Sequence, residues 1–125
     1  MNNVVYFEIQ SSAPEREATF YRTIFGWKIT KDNSIPIQYY RIETDGIHGA
    51  ILERPAAIVP MSGTNAFTCS IQVASFDETA KKILANGGIV AVPKMAIPGR
   101  CWQGYFLDTD HNVFGIFQAD ENAGK

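Results

Sequence analysis

Only two of the 125 residues are cysteine, Cys69 and Cys101, and they form no Cys-x-x-Cys pair. A disulfide framework and a structural zinc site are therefore unsupported, and a reducing, cytoplasmic setting is the expectation. Basic charge is lacking too: 11 Lys and Arg against 13 Asp and Glu leave a net charge of −2. A nucleic-acid binder needs a basic face and an anionic membrane attracts a polybasic run, so neither partner is expected. No apolar run approaches the ~18 residues that cross a bilayer. The start, Met1-Asn2-Asn3-Val4-Val5, lacks the charged and then apolar pattern of a signal peptide. What remains is a globular composition, 46% hydrophobic and 19% charged. Its size is that of one ordinary domain, large enough to fold without staples.

The informative feature is an internal duplication. Ile9-Gln10 falls on Ile71-Gln72, Glu15 on Asp77 and Gly26 on Gly88, all at an offset of 62 residues; Asp45 falls on Asp108 at 63. Identities are few, but the order of structural signals repeats. Each half reads as strand, helix and three strands. In the first, Val4 to Gln10 is rich in β-branched and aromatic residues. Pro14 and the acids after it open a helix running to about Ile24, and Gly26 closes it. Ala18, Tyr21 and Phe25 share one face of that helix. Trp27 to Thr30, Gln38 to Glu43 and His48 to Glu53 follow as strands. In the second half, Ala66 to Val73 is the leading strand. Ser75 caps a helix to Ala85, with Glu78 completing a capping box. Ile89 to Val92, Cys101 to Leu107 and Asn112 to Gln118 are the remaining strands. The modules are thus 3–54 and 65–119, within one domain 3–119. Residues 55–64 are the linker and 120–125 a frayed tail.

Alternation in the leading strands separates two faces. Phe7 and Ile9 point one way, Tyr6, Glu8 and Gln10 the other. Cys69, Ile71 and Val73 oppose Thr68, Ser70 and Gln72 in the same manner. The apolar side packs on the module's own helix. The polar side is either simply wet, as on many antiparallel sheets, or lines a ligand cavity to which each module contributes half.

The segment FEI-x-x-x-x-PERE-A-x-FY-x-x-x-FGW resembles the opening module of the vicinal oxygen chelate superfamily, which includes glyoxalase I, bleomycin-resistance proteins and extradiol dioxygenases. The segments ANGG-x-x-x-x-PK-x-x-IPGR and FLDTDHN-x-FGIFQ are similar to its second module and final turn and strand. The resemblance covers roughly residues 3–119. It implies an α+β fold of two βαβββ modules, each forming half of an open barrel around the site. Metal-dependent members carry His, Glu or Gln ligands on the inward faces of the first and last strands. Here those positions fall on Tyr6, Leu52, Thr68 and Gly115. Leu and Gly have no donor, and neutral Tyr and Thr bind divalent cations poorly, so no metal and no cofactor are expected.

Glu8 is the first candidate for a catalytic group, as a base or as the partner of a cationic ligand group. The bland alternative is an ion pair with Arg41 or Arg54. Tyr6, Thr68 and Ser70 are candidate ligand contacts. Tyr40 and Trp102 are candidates for stacking on a planar ligand, with core packing as the alternative. His111 reads as a turn residue and His48 as a surface strand residue. Cys69 is expected to face a helix and Cys101 to be the more exposed. The implied function is binding, with or without transformation, of a small organic molecule by a metal-free homodimer. A metal-dependent lyase, isomerase or dioxygenase using Glu8 and Glu53 and a drug-sequestering resistance protein are the alternatives.

Overall fold

The computed structural model describes residues 1–56 and 67–125. The chain divides into two compact units, Met1–Gly63 and Thr64–Lys125. The strand-helix-strand-strand-strand order occurs twice, so the fold is α+β with two βαβββ modules. The first holds β1 (Tyr6–Ser11), α1 (Pro14–Phe25), β2 (Lys28–Lys31), β3 (Tyr39–Glu43) and β4 (His48–Glu53). The second holds β5 (Ser70–Gln72), α2 (Phe76–Ala85), β6 (Ile89–Ile97), β7 (Cys101–Leu107) and β8 (Val113–Ala119). The sheets run β1-β4-β3-β2 and β5-β8-β7-β6. In each, the first strand lies parallel to the last and the other pairs are antiparallel.

Local chemistry accounts for the helices. Pro14 occupies the first turn of α1, where its missing N–H costs nothing. Gly26 ends that helix at φ 68°, in the left-handed region that glycine enters freely, and donates its N–H to the Arg22 carbonyl. Ser75 caps α2 as expected, its hydroxyl accepting from the Glu78 N–H at 3.2 Å. The Glu78 carboxylate instead meets Lys81 at 3.3 Å. The buried stripe of α1 includes Ala18, Tyr21 and Ile24. Tyr21 and Phe25 both stack on Trp27, with ring centroids 5.2 and 5.4 Å apart. Under α2, Phe76 and Ile83 are buried, and Phe76 lies 6.2 Å from Phe106.

Three expectations need correction. Strand β6 does not stop at Val92 but continues through Pro93 to Ile97. It is an edge strand with register shifts either side of Val92, where proline and irregular pairing are tolerated. The tail is not frayed. The Asp120 and Gly99 N–H groups bond to the Arg100 and Ala123 carbonyls, and Ala123 is fully buried. The cysteines are reversed: Cys69 is exposed, standing just before a β5 that spans only three residues, and Cys101 is buried. The linker 57–64 and the expected strand start at Ala66 lie outside the described residues.

The tail's anchor is testable. Trp102 donates its indole N–H to Asp120 Oδ2 at 2.9 Å. Trp102→Phe keeps an aromatic ring and removes that donor, so urea unfolding should show a lower midpoint than wild type.

Candidate functional site

Register assigns every strand residue to a face, because directly opposed residues project to the same side. In the first module Phe7, Ile9, Ile29, Tyr40, Ile42 and Ile51 lie on the side that α1 covers. The helix-free face receives Tyr6, Glu8 and Gln10 from β1, with His48, Ala50 and Leu52 opposite them on β4. Tyr39 and Arg41 on β3 and Thr30 on β2 extend the same face.

Three side chains on that face form a connected group. The Tyr6 and Tyr39 hydroxyls are hydrogen-bonded at 2.8 Å. The Arg41 guanidinium lies over the Tyr39 ring, 5.6 Å from its centre. Arg41 also donates through Nε to Asp32 Oδ2 at 2.7 Å. Asp32 accepts in addition from the Ser34 hydroxyl and N–H, and these bonds, with Arg41, hold its carboxyl below the usual range. Beside this group an open groove of about 320 Å³ is lined by Lys28, Thr30, Lys31, Asp32, Asn33 and Arg41, together with Glu43. The Glu43 carboxylate is itself paired with Lys28 at 3.2 Å.

Glu8 belongs to this face but not to an ion pair. Its expected partner Arg41 is committed to Asp32, and the Glu8 carboxylate makes no hydrogen bond or ion pair among the described residues. Its charge is felt by Tyr39. Desolvation first, then the bond to Tyr6 and the Tyr6 and Glu8 charges, push the Tyr39 phenol up to about 12. A raised phenol contributes stability that is full below its ordinary value of 10.0 and is lost as pH climbs towards about 12. Phenolate absorbance should therefore show one tyrosine ionising near 12. Tyr6→Phe, which removes the shared hydrogen bond, should bring that midpoint down.

In the second module Ile71, Trp102, Gly104, Phe106 and Ile116 take the side of α2. The helix-free face receives Ser70 and Gln72, Gly115 and Phe117, and Gln103 and Tyr105. Gln103 Nε2 donates to Ser70 Oγ at 2.9 Å, directly over Gly115. A Cβ at Gly115 would lie 2.6 Å from Ser70 Oγ, 2.7 Å from Gln103 Nε2 and 3.0 Å from Tyr105 Cε1. The glycine leaves room for that hydrogen-bonded pair.

The sequence candidates divide accordingly. Tyr6 and Glu8 share the helix-free face of their module, and Ser70 lies on that of the other. Thr68 is exposed and precedes β5. Tyr40 and Trp102 are corrected: both turn to the helix side. Tyr40 is 5% exposed in the core, and the Trp102 ring lies under Lys94, 4.6 Å from its ammonium, which also meets Asp77 of α2 at 3.0 Å. Tyr39 and Gln103 were not among the candidate contacts, and Arg41 entered only as an ion-pair partner for Glu8. Alternation through Gln38-Tyr39-Tyr40-Arg41 offered a signal for Tyr39 and Arg41, which must share a face whichever way the strand is turned.

The family's metal positions also shift by register. The counterpart of Gly115, opposite Ser70, is Ala50, opposite Glu8, rather than Leu52. Alanine and glycine both lack a donor. Among the described residues no three His, Cys, Asp or Glu come together to hold an ion. The donor set therefore does not fit a divalent metal. No described helix is long and apolar enough to cross a membrane.

No functionally curated protein matches the chain. Solved structures do match its fold. A glyoxalase/bleomycin resistance protein/dioxygenase family enzyme from Burkholderia phytofirmans is 19% identical, with a TM-score of 0.75 over 93% of this chain and 98% of that one. The fosfomycin resistance protein FosX of Listeria monocytogenes is 16% identical, with a TM-score of 0.76 over 96% and 93%. TioX from a Micromonospora species is 15% identical, with a TM-score of 0.69 over 95% and 100%. The family model of the Glyoxalase/Bleomycin resistance protein/Dioxygenase superfamily matches residues 3–116. The chain belongs to that superfamily.

Proposed function

We propose that the chain binds a small organic molecule through the helix-free faces of its modules, without a divalent metal at the superfamily's usual positions. The observation that carries this reading is the polar group Tyr6, Tyr39, Arg41 and Glu8 on one helix-free face, together with the Ser70–Gln103 pair on the other. Tyr6, Tyr39 and Ser70 orient the ligand by hydrogen bonds, and Thr68 at the entry to β5 is a further contact. Glu8 receives a proton or a cationic group from it. Tyr39 stays neutral to about 12 and so remains a hydrogen-bond donor at neutral pH. A homodimer in the cytoplasm belongs to the same reading, because β1 and β5 each have only one strand neighbour in their sheets.

A ligand screen by thermal shift tests binding. A hit recovered unchanged supports a drug-sequestering binding protein. A hit that turns over supports an enzyme, and Glu8→Gln should then abolish the turnover. If Glu8→Gln alters neither binding nor turnover, the assignment of Glu8 is wrong. Metal analysis of protein purified without chelator should find far less than one bound Ni, Zn, Fe or Mn ion per chain. One tightly held equivalent would establish the metal-dependent alternative instead.

A further inference from the structure

The pairing registers lay the helix-free face of the first module out in rows. The register of β3 on β4, continued by one residue, sets Glu43 opposite His48, so Tyr6, His48, Glu43 and Lys28 share one row. Glu8, Ala50, Arg41 and Thr30 form the next, and Gln10, Leu52 and Tyr39 the third. The Tyr6–Tyr39 hydrogen bond therefore runs diagonally from β1 to β3 across β4, with the fully buried Ala50 beneath it. That diagonal divides the charges of the face. Glu8 lies on one side of it; Arg41, Glu43, Lys28 and His48 lie on the other.

The open groove of about 320 Å³ lies on the second side. Its lining carries Lys28, Lys31 and Arg41 against the carboxylates of Asp32 and Glu43. A proton taken up by His48 only adds to the positive side. Glu8 stands two strands from Arg41, about 10 Å at the usual strand spacing, where salt screens much of its charge. Neither carboxylate closes the groove to an anion. Asp32 takes only the Nε of Arg41, and the terminal guanidinium nitrogens make no bond among the described residues. Lys31 has no ionic partner among the described residues. The Lys28–Glu43 pair is exposed to solvent, so little is lost when an anion competes for the lysine.

We propose that this groove holds the oxyanion end of the ligand, a carboxylate or a phosphoryl group. This names the charged end of the small molecule in the reading above and rests on that reading, and it uses the first module alone. Arg41 presents its two terminal nitrogens as a fork that matches two oxygens of such a group. The Tyr39 ring on one side and the bond to Asp32 on another hold the guanidinium in place, so the fork is ordered before the ligand arrives. Lys31 and Lys28 add charge, and the Thr30 hydroxyl adds a donor. A cationic end would instead meet two ammonium groups and a guanidinium.

The test titrates the full chain with phenylphosphonate, benzoate and benzylamine at fixed ionic strength, followed by the amide signals in NMR. At least one anion should bind about fivefold or more tightly than the amine, with shifts centred on Thr30, Lys31 and Arg41. The tighter anion tells a phosphoryl source from a carboxylate one, and either supports the site. Lys31→Gln should weaken that anion about two- to fivefold, the worth of one exposed ionic contact. Glu43→Gln, which frees Lys28 and removes a repelling carboxylate, should strengthen it by a similar factor, a gain that a merely structural role for Glu43 does not give. Equal or tighter binding of benzylamine, shifts centred elsewhere, or an anion affinity unaltered in either variant overturns the oxyanion assignment. Failure of both anions to bind overturns it too, and the broader ligand screen then decides separately whether the reading of a small-molecule binder survives.

Discussion

Gly115→Glu should destabilise the protein by about 3–5 kcal/mol and still confer no metal binding. The substitution places a carboxylate at the last-strand position where metal-dependent relatives are implied to carry a ligand. Gly115 is buried, and its missing Cβ is what allows Gln103 to reach Ser70. Any side chain there displaces two hydrogen-bonded groups and presses on the Tyr105 ring. A glutamate adds an ionised group that no nearby cation on that face compensates. Gly115→Ala isolates the first effect. Its Cβ meets movable side-chain ends rather than backbone, so its cost should be smaller, about 1–3 kcal/mol, chiefly the loss of the Gln103 hydrogen bond. Denaturant unfolding of the two variants measures both costs. Mass spectrometry of the Glu variant under native conditions, with Mn or Zn added, checks metal uptake. Stable uptake would mean that the remaining inward residues are closer to a ligand set than Tyr6, Ala50 and Thr68 suggest.

Much of the scaffold was legible because the signals are local. Pro14, Gly26 and Ser75 each act within one turn of their helix, and the strand His48–Glu53 and the strand Cys101–Leu107 fall where their composition placed them. The faces of the leading strands were legible for the same reason, since alternation needs no partner. What was not legible depends on register between strands. Tyr39 and Tyr40 are neighbours of the same residue type, and only the pairing of Tyr39 with Leu52 and of Tyr40 with Ile51 decides which of them joins Tyr6. A slip of one residue exchanges the two. Trp102 went astray in the same way, and so did the choice of Leu52 over Ala50. The Gln103–Ser70 bond joins residues 33 apart in the chain, and nothing in either residue's surroundings announces it. The tail was misjudged because Ala123 is buried against the turn around Gly99, a contact that its small, polar neighbours do not advertise.

Asp108→Ala is expected to cost about 3 kcal/mol, which lowers the melting temperature by about 10 °C in a domain of this size. Asp108 is 1% exposed and ties the turn between β7 and β8 together. Its Oδ1 accepts from the Asp110 N–H at 2.8 Å and the Asn112 N–H at 3.0 Å, and its Oδ2 from the Asn112 amide at 3.1 Å. Alanine takes that carboxylate acceptor away from a part-buried site, and unmade bonds cost more there than made ones contribute. The same turn holds His111 at φ 62°, a conformation that L side chains adopt at some cost and that the Asp108 bonds help to enforce. Asp108→Asn separates acceptor loss from turn loss. One of its two polar atoms still accepts while the other becomes a donor facing donors, so its cost should fall between those of wild type and Ala. His111→Gly in the Asp108→Ala background should recover part of the loss, because glycine enters the left-handed region without strain. Because β8 carries Gly115 and pairs with β5, a loosened turn should also weaken the ligand binding proposed for the Ser70 face. Equal stability of Asp108→Ala and wild type in urea would show that the turn is held by its backbone bonds alone.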